Sequence, residues 1–280
     1  MQAAITCKNC NNQFTGKYCN QCGEKVYTEH DKTFRHFIEE AFHFLTHFDN
    51  KLFRTWWLIM TKPATVSTNI ASGIRSRYYK PVNLFIIGVI LYLLFPYFQG
   101  LNMPMKNHFN EPHRVVAVSL VKTKMKSHDL KLEQVAQKFD EKSPKVAKIL
   151  LLIIIPLGGL VLQLLFWKKR RYYFDHITLA SELSTFYLYF NFMLVPLVFI
   201  TISLVLRLLG GSGYFDAGDE VTMPLYLVVF GSYCTFAFRR FYNEKTGWAI
   251  LKSLLFLIGH GFIVYMLYRV ILFCVVMLFI

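Results

Sequence analysis

Five apolar runs, near residues 82–99, 147–167, 177–208, 224–241 and 248–280, fill most of the chain beyond residue 81. Helices that are apolar on every side cannot share one globular core, and they must be covered by lipid or by one another. A bilayer-spanning helix needs ~20 apolar residues. The first two runs fit that length, and the third is long enough to span with tilt. The fourth is short, but its Arg239–Tyr242 edge can extend it by snorkelling. The fifth is overlong and is interrupted by Arg269, so a span followed by an interfacial tail is expected there. Lipid-exposed backbone must satisfy its own hydrogen bonds, which makes the runs helical. Pro96, Pro156 and Pro196 fall inside them and predict kinks.

Composition agrees. Hydrophobic residues make up 54% of the 280 and charged residues only 17%, against about 25% charged in a soluble domain. Soluble, disordered and disulfide-framed secreted classes are thereby excluded. The expected fold is an all-α integral membrane protein with about five transmembrane helices, amphipathic juxtamembrane helices and a small N-terminal zinc ribbon. Its expected divisions are the ribbon at 1–30, interfacial helices at 31–80 and the transmembrane domain at 81–280, with a polar loop at 100–146. In that loop, Val115–Lys126 and Leu130–Asp140 carry apolar residues at helical spacing, so short helices are expected.

The formal charge of +14 is carried largely beside the apolar runs. Lys168, Lys169, Arg170 and Arg171 form one basic loop, and Arg239, Arg240 and Lys245 another. Asp216, Asp219 and Glu220 lie in a loop without Lys or Arg. The positive-inside rule then places the N-terminus in the cytosol and the C-terminus outside a bacterial inner membrane. The basic 100–146 loop dissents, since this arrangement puts it outside. Anionic lipid headgroups suit the charge better than nucleic acid does. Residues 1–30 contain no apolar run of signal-peptide length, so the head is expected to stay in the cytosol.

The sharpest motif is Cys7-Lys-Asn-Cys10, followed eight residues later by Cys19-Asn-Gln-Cys22-Gly23. Two CxxC knuckles can bring four thiolates into the tetrahedron that Zn²⁺ prefers. Iron or a pair of disulfides would use the same residues, but ligand softness favours zinc and a cytosolic location disfavours disulfides. Four protein ligands leave no open position, which makes the zinc structural. Cys234 and Cys274 sit in apolar runs and read as small buried hydrophobes.

Residues 33–50 read as an amphipathic helix, with Phe34, Phe37, Ile38, Ala41, Phe44, Leu45 and Phe48 on one stripe. Its polar face offers Glu40, His43 and His47 as a candidate second metal site, but a solvated face above a membrane-lying stripe is the better reading, since no fourth ligand is identifiable. Arg75, Arg77, Tyr79 and Lys80 suit a lipid interface.

These features occur in a recognisable order. The ribbon precedes "FRHFIEEAFHFLTHFD", "TKP" at 61–63, "SGIRSRYYKP" at 72–81, "SPKVAKILLLIIIPLGGL" at 143–160 and "YYFDHITLASELSTFYLYF" at 172–190. In this the chain resembles the uncharacterised bacterial multi-pass membrane family called domain of unknown function thirty-six sixty-seven. Ala64 and Asn50 stand where members of that family often carry glycine. The resemblance supports the architecture and implies no activity.

Ionisable residues inside spans are costly and are candidates for function. His176, Glu182, Asn191 and His260 form one candidate polar site; hydrogen-bonded glue between helices is the plainer alternative. No phosphate-binding loop, nucleophile elbow, HExxH motif or dinucleotide fingerprint is present. The leading expectation is a non-enzymatic protein whose zinc ribbon and interfacial helices dock a protein partner or anionic lipid, with a protein partner or a homo-oligomer expected. The alternative is a small-molecule or lipid transporter built around Glu182 and His260.

Overall fold

The computed structural model describes residues 5–7, 10–16, 18–22, 50–94, 103–169, 172–210 and 219–280, with side chains from residue 223 onward in the last stretch. The chain divides into two compact units, Met1–Asn50 and Lys51–Ile280. The expected helix at 33–50, with Glu40, His43 and His47, lies outside the described residues.

In the first unit, β1 (Ile5–Thr6) pairs antiparallel with β2 (Gln13–Phe14) in the register Ile5 opposite Phe14. The turn between them carries Asn11 at φ 57°, a left-handed conformation that Asn adopts more readily than most residues.

Every regular element among the described residues of the second unit is a helix. Two short helices come first, α1 (Asn50–Thr61) and α2 (Thr65–Ala71), and then the apolar α3 (Pro81–Leu94). A 3₁₀ turn (Met105–Asn110) and α4 (Arg114–His128) follow. Among the described residues, three helices are long and apolar enough to cross a membrane: α5 (Leu132–Leu165), α6 (Tyr173–Leu208) and α8 (Thr246–Phe279). Between the last two lies α7 (Asp219–Tyr242).

Pro96 lies outside the described residues, and at each of the other two prolines the helix changes type locally. Pro156 cannot donate to residue 152, and the helix tightens there into a 3₁₀ turn, Leu151–Ile153. Pro196 cannot donate to residue 192, and the helix widens there into a π turn, Phe190–Leu194. A second π turn, Phe262–Leu267, interrupts α8 without a proline.

The first half of α6 is the hub. Every residue from Thr178 to Tyr189 is buried. Close approach depends on glycine at two points. A Cβ on Gly88 would come within 2.8 Å of Leu188 and Tyr189, and one on Gly159 within 3.1 Å of the Ile177 side chain and 3.4 Å of its backbone. Beyond Pro196, α6 instead exposes Leu197, Val198, Leu204 and Leu208, a surface suited to lipid.

The helix expected over 130–140 and the span expected from 147 prove to be one helix, α5. Its polar first half buries Val135, Phe139, Ser143 and Ala147, an i, i+4 stripe. That stripe meets the end of α8, where the Phe139 and Phe273 rings lie 5.1 Å apart. The expected interfacial tail of the fifth run is therefore absent, because α8 continues as helix under cover of the 103–150 region. Lys142 donates to the carbonyl of Phe279 at the end of α8, where a helix favours positive charge.

Candidate metal centre and the intramembrane polar groups

The four head cysteines converge. Their Sγ atoms all lie within 4.8 Å of one another, with Cys7 and Cys22 3.5 Å apart and Cys10 and Cys19 3.6 Å apart. These distances are far beyond a disulfide bond, and all four are free thiols. A tetrahedron with ~2.3 Å metal–sulfur bonds has edges of about 3.8 Å, so the cluster fits a four-thiolate metal ion. The hairpin builds the first knuckle: the Cys7 N–H donates to Asn12 O, and the Asn11 N–H donates to Cys7 O. At the second knuckle, hydrogen bonds from the backbone of Cys22 and Gln21 lower the Cys19 thiol, while the neighbouring sulfurs raise Cys10 across the cluster. Asn12 Nδ2 lies 3.8 Å from Cys19 Sγ and donates to Asn20 Oδ1 at 2.7 Å, supporting the cluster from outside.

The expected midplane site does not assemble as one cluster. His176 and Glu182 lie six residues apart on one helix, about 120° apart around its axis, and each finds different partners. His176 Nδ1 is 2.6 Å from the Tyr242 hydroxyl. Glu182 is fully buried and is held by α2: its Oε2 accepts from the Ser67 N–H at 2.7 Å and from the Ser67 hydroxyl. The Ala64 backbone and the Tyr233 hydroxyl, 3.5 Å from Oε1, complete the set. His260 is equally buried but has no hydrogen-bond partner among the described residues at either nitrogen. Tyr187, Phe230 and Phe256 surround it, with ring centroids 4.9, 5.4 and 5.6 Å away. Asn191 is half-buried on the first π turn.

The family comparison bears on the Glu182 clamp. Residues 49–93 match the family described as "Protein of unknown function (DUF3667)". The sequence resemblance is thus to this family, and the matched segment holds α1, α2 and most of α3, including Ser67. Neither the curated proteins nor the solved structures contain a match to the chain. The Ala64 departure also has a structural meaning. Ala64 adopts φ 57°, a left-handed conformation that costs a residue with a Cβ ~1–2 kcal/mol and that glycine takes freely.

The interfacial residues divide. Arg75, Arg77 and Lys80 are exposed, with Arg75 lying 5.5 Å from the Phe174 ring. Tyr79 is half-buried, and its N–H donates to Thr55 Oγ1.

Two features escaped sequence reading. Arg240 donates to Pro63 O and Thr65 Oγ1, fastening the turn before α2. At the other end of the unit, His108 Nδ1 and His113 Nε2 lie 2.9 Å apart beside the Arg269–Glu111 ion pair at 2.6 Å. Burial pushes His108 down to about 4, aided by His113 and Arg269, and burial also lowers His113. The ion pair also explains Arg269 within an apolar run: it reaches a carboxylate 158 residues away. No local spacing announces either contact.

Proposed function

We propose that this chain is a non-enzymatic, multi-pass protein of the bacterial inner membrane whose zinc-bearing head is a cytosolic docking module for a protein partner. Five helices would span, namely α3, the apolar half of α5, α6, α7 and α8. The basic loops would lie in the cytosol and the 103–150 region outside with Ile280. The observation that carries the reading is the closed set of four thiols. Zinc bound there would have no ligand position left for a substrate, and it would supply the folding energy that so small a head cannot find in a core.

The transport alternative loses Glu182, whose Oε2 is taken by Ser67 of α2 and whose Oε1 faces the Tyr233 hydroxyl of α7, and keeps only the nitrogens of His260 that have no partner among the described residues. The test is a photo-crosslinker placed at exposed Tyr18 in the full chain, irradiated in native membranes. Discrete protein adducts that vanish in Cys19→Ala are expected. Adducts that are absent, or identical in both forms, would remove the docking reading.

A further inference from the structure

We propose that the end of the bundle carrying the basic loops holds a site for the headgroup of an anionic phospholipid, in a pocket between the α5–α6 and α7–α8 connections. The cavity is about 520 Å³ and is lined by Lys168, Lys169, Lys252, Glu244, Trp167 and Trp248, among others. Three ammonium groups face one carboxylate, leaving the pocket with two surplus positive charges.

Two of the three cations are fixed in place. Glu244 sits 2.9 Å from Lys252 Nζ and 3.5 Å from Lys169 Nζ. Burial opposes the Glu244 charge, but the two lysines outweigh it and hold the carboxyl below its ordinary range. Lys252 Nζ also lies 4.3 Å over the Phe166 ring. That floor is rigid: Phe166 stacks on Tyr242 at 3.7 Å, and the Tyr242 hydroxyl meets His176. A phosphate entering here would meet lysines already held in place, which lowers the ordering cost of binding.

The source of the phosphate is indicated by the surroundings. Trp167 and Trp248 are 70% and 58% exposed, as indoles at a headgroup layer are. Next to the pocket along the helices, Leu164 of α5 and Leu251 and Leu255 of α8 present bare apolar surface. A ligand with its phosphate among the lysines can lay acyl chains along these leucines, which inorganic phosphate cannot do. A zwitterionic headgroup would bring its own cation to an already positive pocket and gain less.

This inference rests on the membrane reading above and is independent of what the head docks. The full chain, purified in detergent, is offered phosphatidylglycerol and phosphatidylcholine in equal amounts, and retained lipid is counted by native mass spectrometry. Wild type should retain phosphatidylglycerol about tenfold over phosphatidylcholine. Lys168→Ala combined with Lys252→Ala should abolish the preference, while Lys145→Ala with Lys148→Ala should keep it. Glu244→Gln removes the pocket's one negative charge, while its amide oxygen can still accept from Lys252 and keep it in place, so retention should strengthen, an outcome that misfolding cannot imitate. Equal retention of the two lipids by wild type, an unchanged preference in the double variant, or weaker retention in Glu244→Gln would each overturn the proposal. Displacement of the lipid by millimolar inorganic phosphate would reassign the site to a free anion. The head's crosslinks report separately, because every variant leaves the four cysteines intact.

Discussion

The cysteine head and the Glu182 clamp are both polar clusters collected by backbone N–H groups, but they are assembled over very different lengths of chain. All four thiols come from 16 consecutive residues, within a unit of its own. The Glu182–Ser67 contact joins groups 115 residues apart and exists only when α2 is packed against α6. The first cluster therefore has to draw its stability from a ligand, and the second draws it from the bundle. The head can fail while the bundle stands, whereas the clamp cannot fail without loosening the segment that carries the family match.

The largest effect should come from the head. Cys19→Ala, or a strong chelator, should take bound zinc from one per chain to near zero by elemental analysis. Structural zinc supplies ~10–16 kcal/mol in small modules of this type, so the head should lose its fold. Thermal unfolding of the helical unit should not change. A matching fall in bundle stability would break the claimed independence of the two units.

Next is the clamp. Glu182→Leu leaves the Ser67 N–H buried without its acceptor, at ~1–3 kcal/mol, and takes the carboxylate bond from the Ser67 hydroxyl, which keeps Thr178 O at 3.1 Å; stability should fall by about 2–4 kcal/mol. Glu182→Gln keeps an acceptor and should cost about 1–2 kcal/mol. Thermal unfolding in detergent distinguishes the two. Equal, negligible losses would show that α2 is held by its apolar residues Val66 and Ile70 alone.

Much of this contrast was legible from the residues. The knuckle spacing is local and carries its chemistry in four letters, so the convergence of the four thiols, which could hold a metal ion, was readable directly. The apolar runs likewise announced their helices. Glu182 was conspicuous for its cost in an apolar setting, but its partner was not, because nothing in "TVSTNIA" marks Ser67 as the residue that would reach it. The same holds for Arg269, taken for an interfacial residue until the fold placed Glu111 against it. The grouping of His176, Glu182, Asn191 and His260 failed for a related reason. Sequence gives depth along a helix more reliably than it gives the partners that other helices supply.

A smaller effect should come from the packing that brings α5 to the hub. Gly159→Leu places a side chain against the Ile177 backbone, which cannot retreat as a flexible side chain would. The expected loss is about 1–3 kcal/mol, typical of overpacking, with metal content in the head unaltered. Gly247→Leu is the control, because a Cβ there meets nothing within 4 Å. Equal losses at both positions would mean that the α5–α6 approach is looser than described.

The smallest effect is expected at His260, and it is the most informative about function. Glu182 and His260 are equally buried, yet one has its partners and the other has two nitrogens without any among the described residues. His260→Leu removes both unpaired nitrogens while keeping a similar volume. It gives up ring contacts with Tyr187, Phe230 and Phe256, worth ~0.5–1.5 kcal/mol each at most. It also relieves buried polar atoms that cost ~1–3 kcal/mol when unmade. The two contributions nearly cancel, so the unfolding temperature should hold or rise slightly. A loss above about 2 kcal/mol would mean that the nitrogens bond to water or a solute in the working protein. The polar interior would then be a conduit, and the transport reading would gain the site that Glu182 no longer supplies.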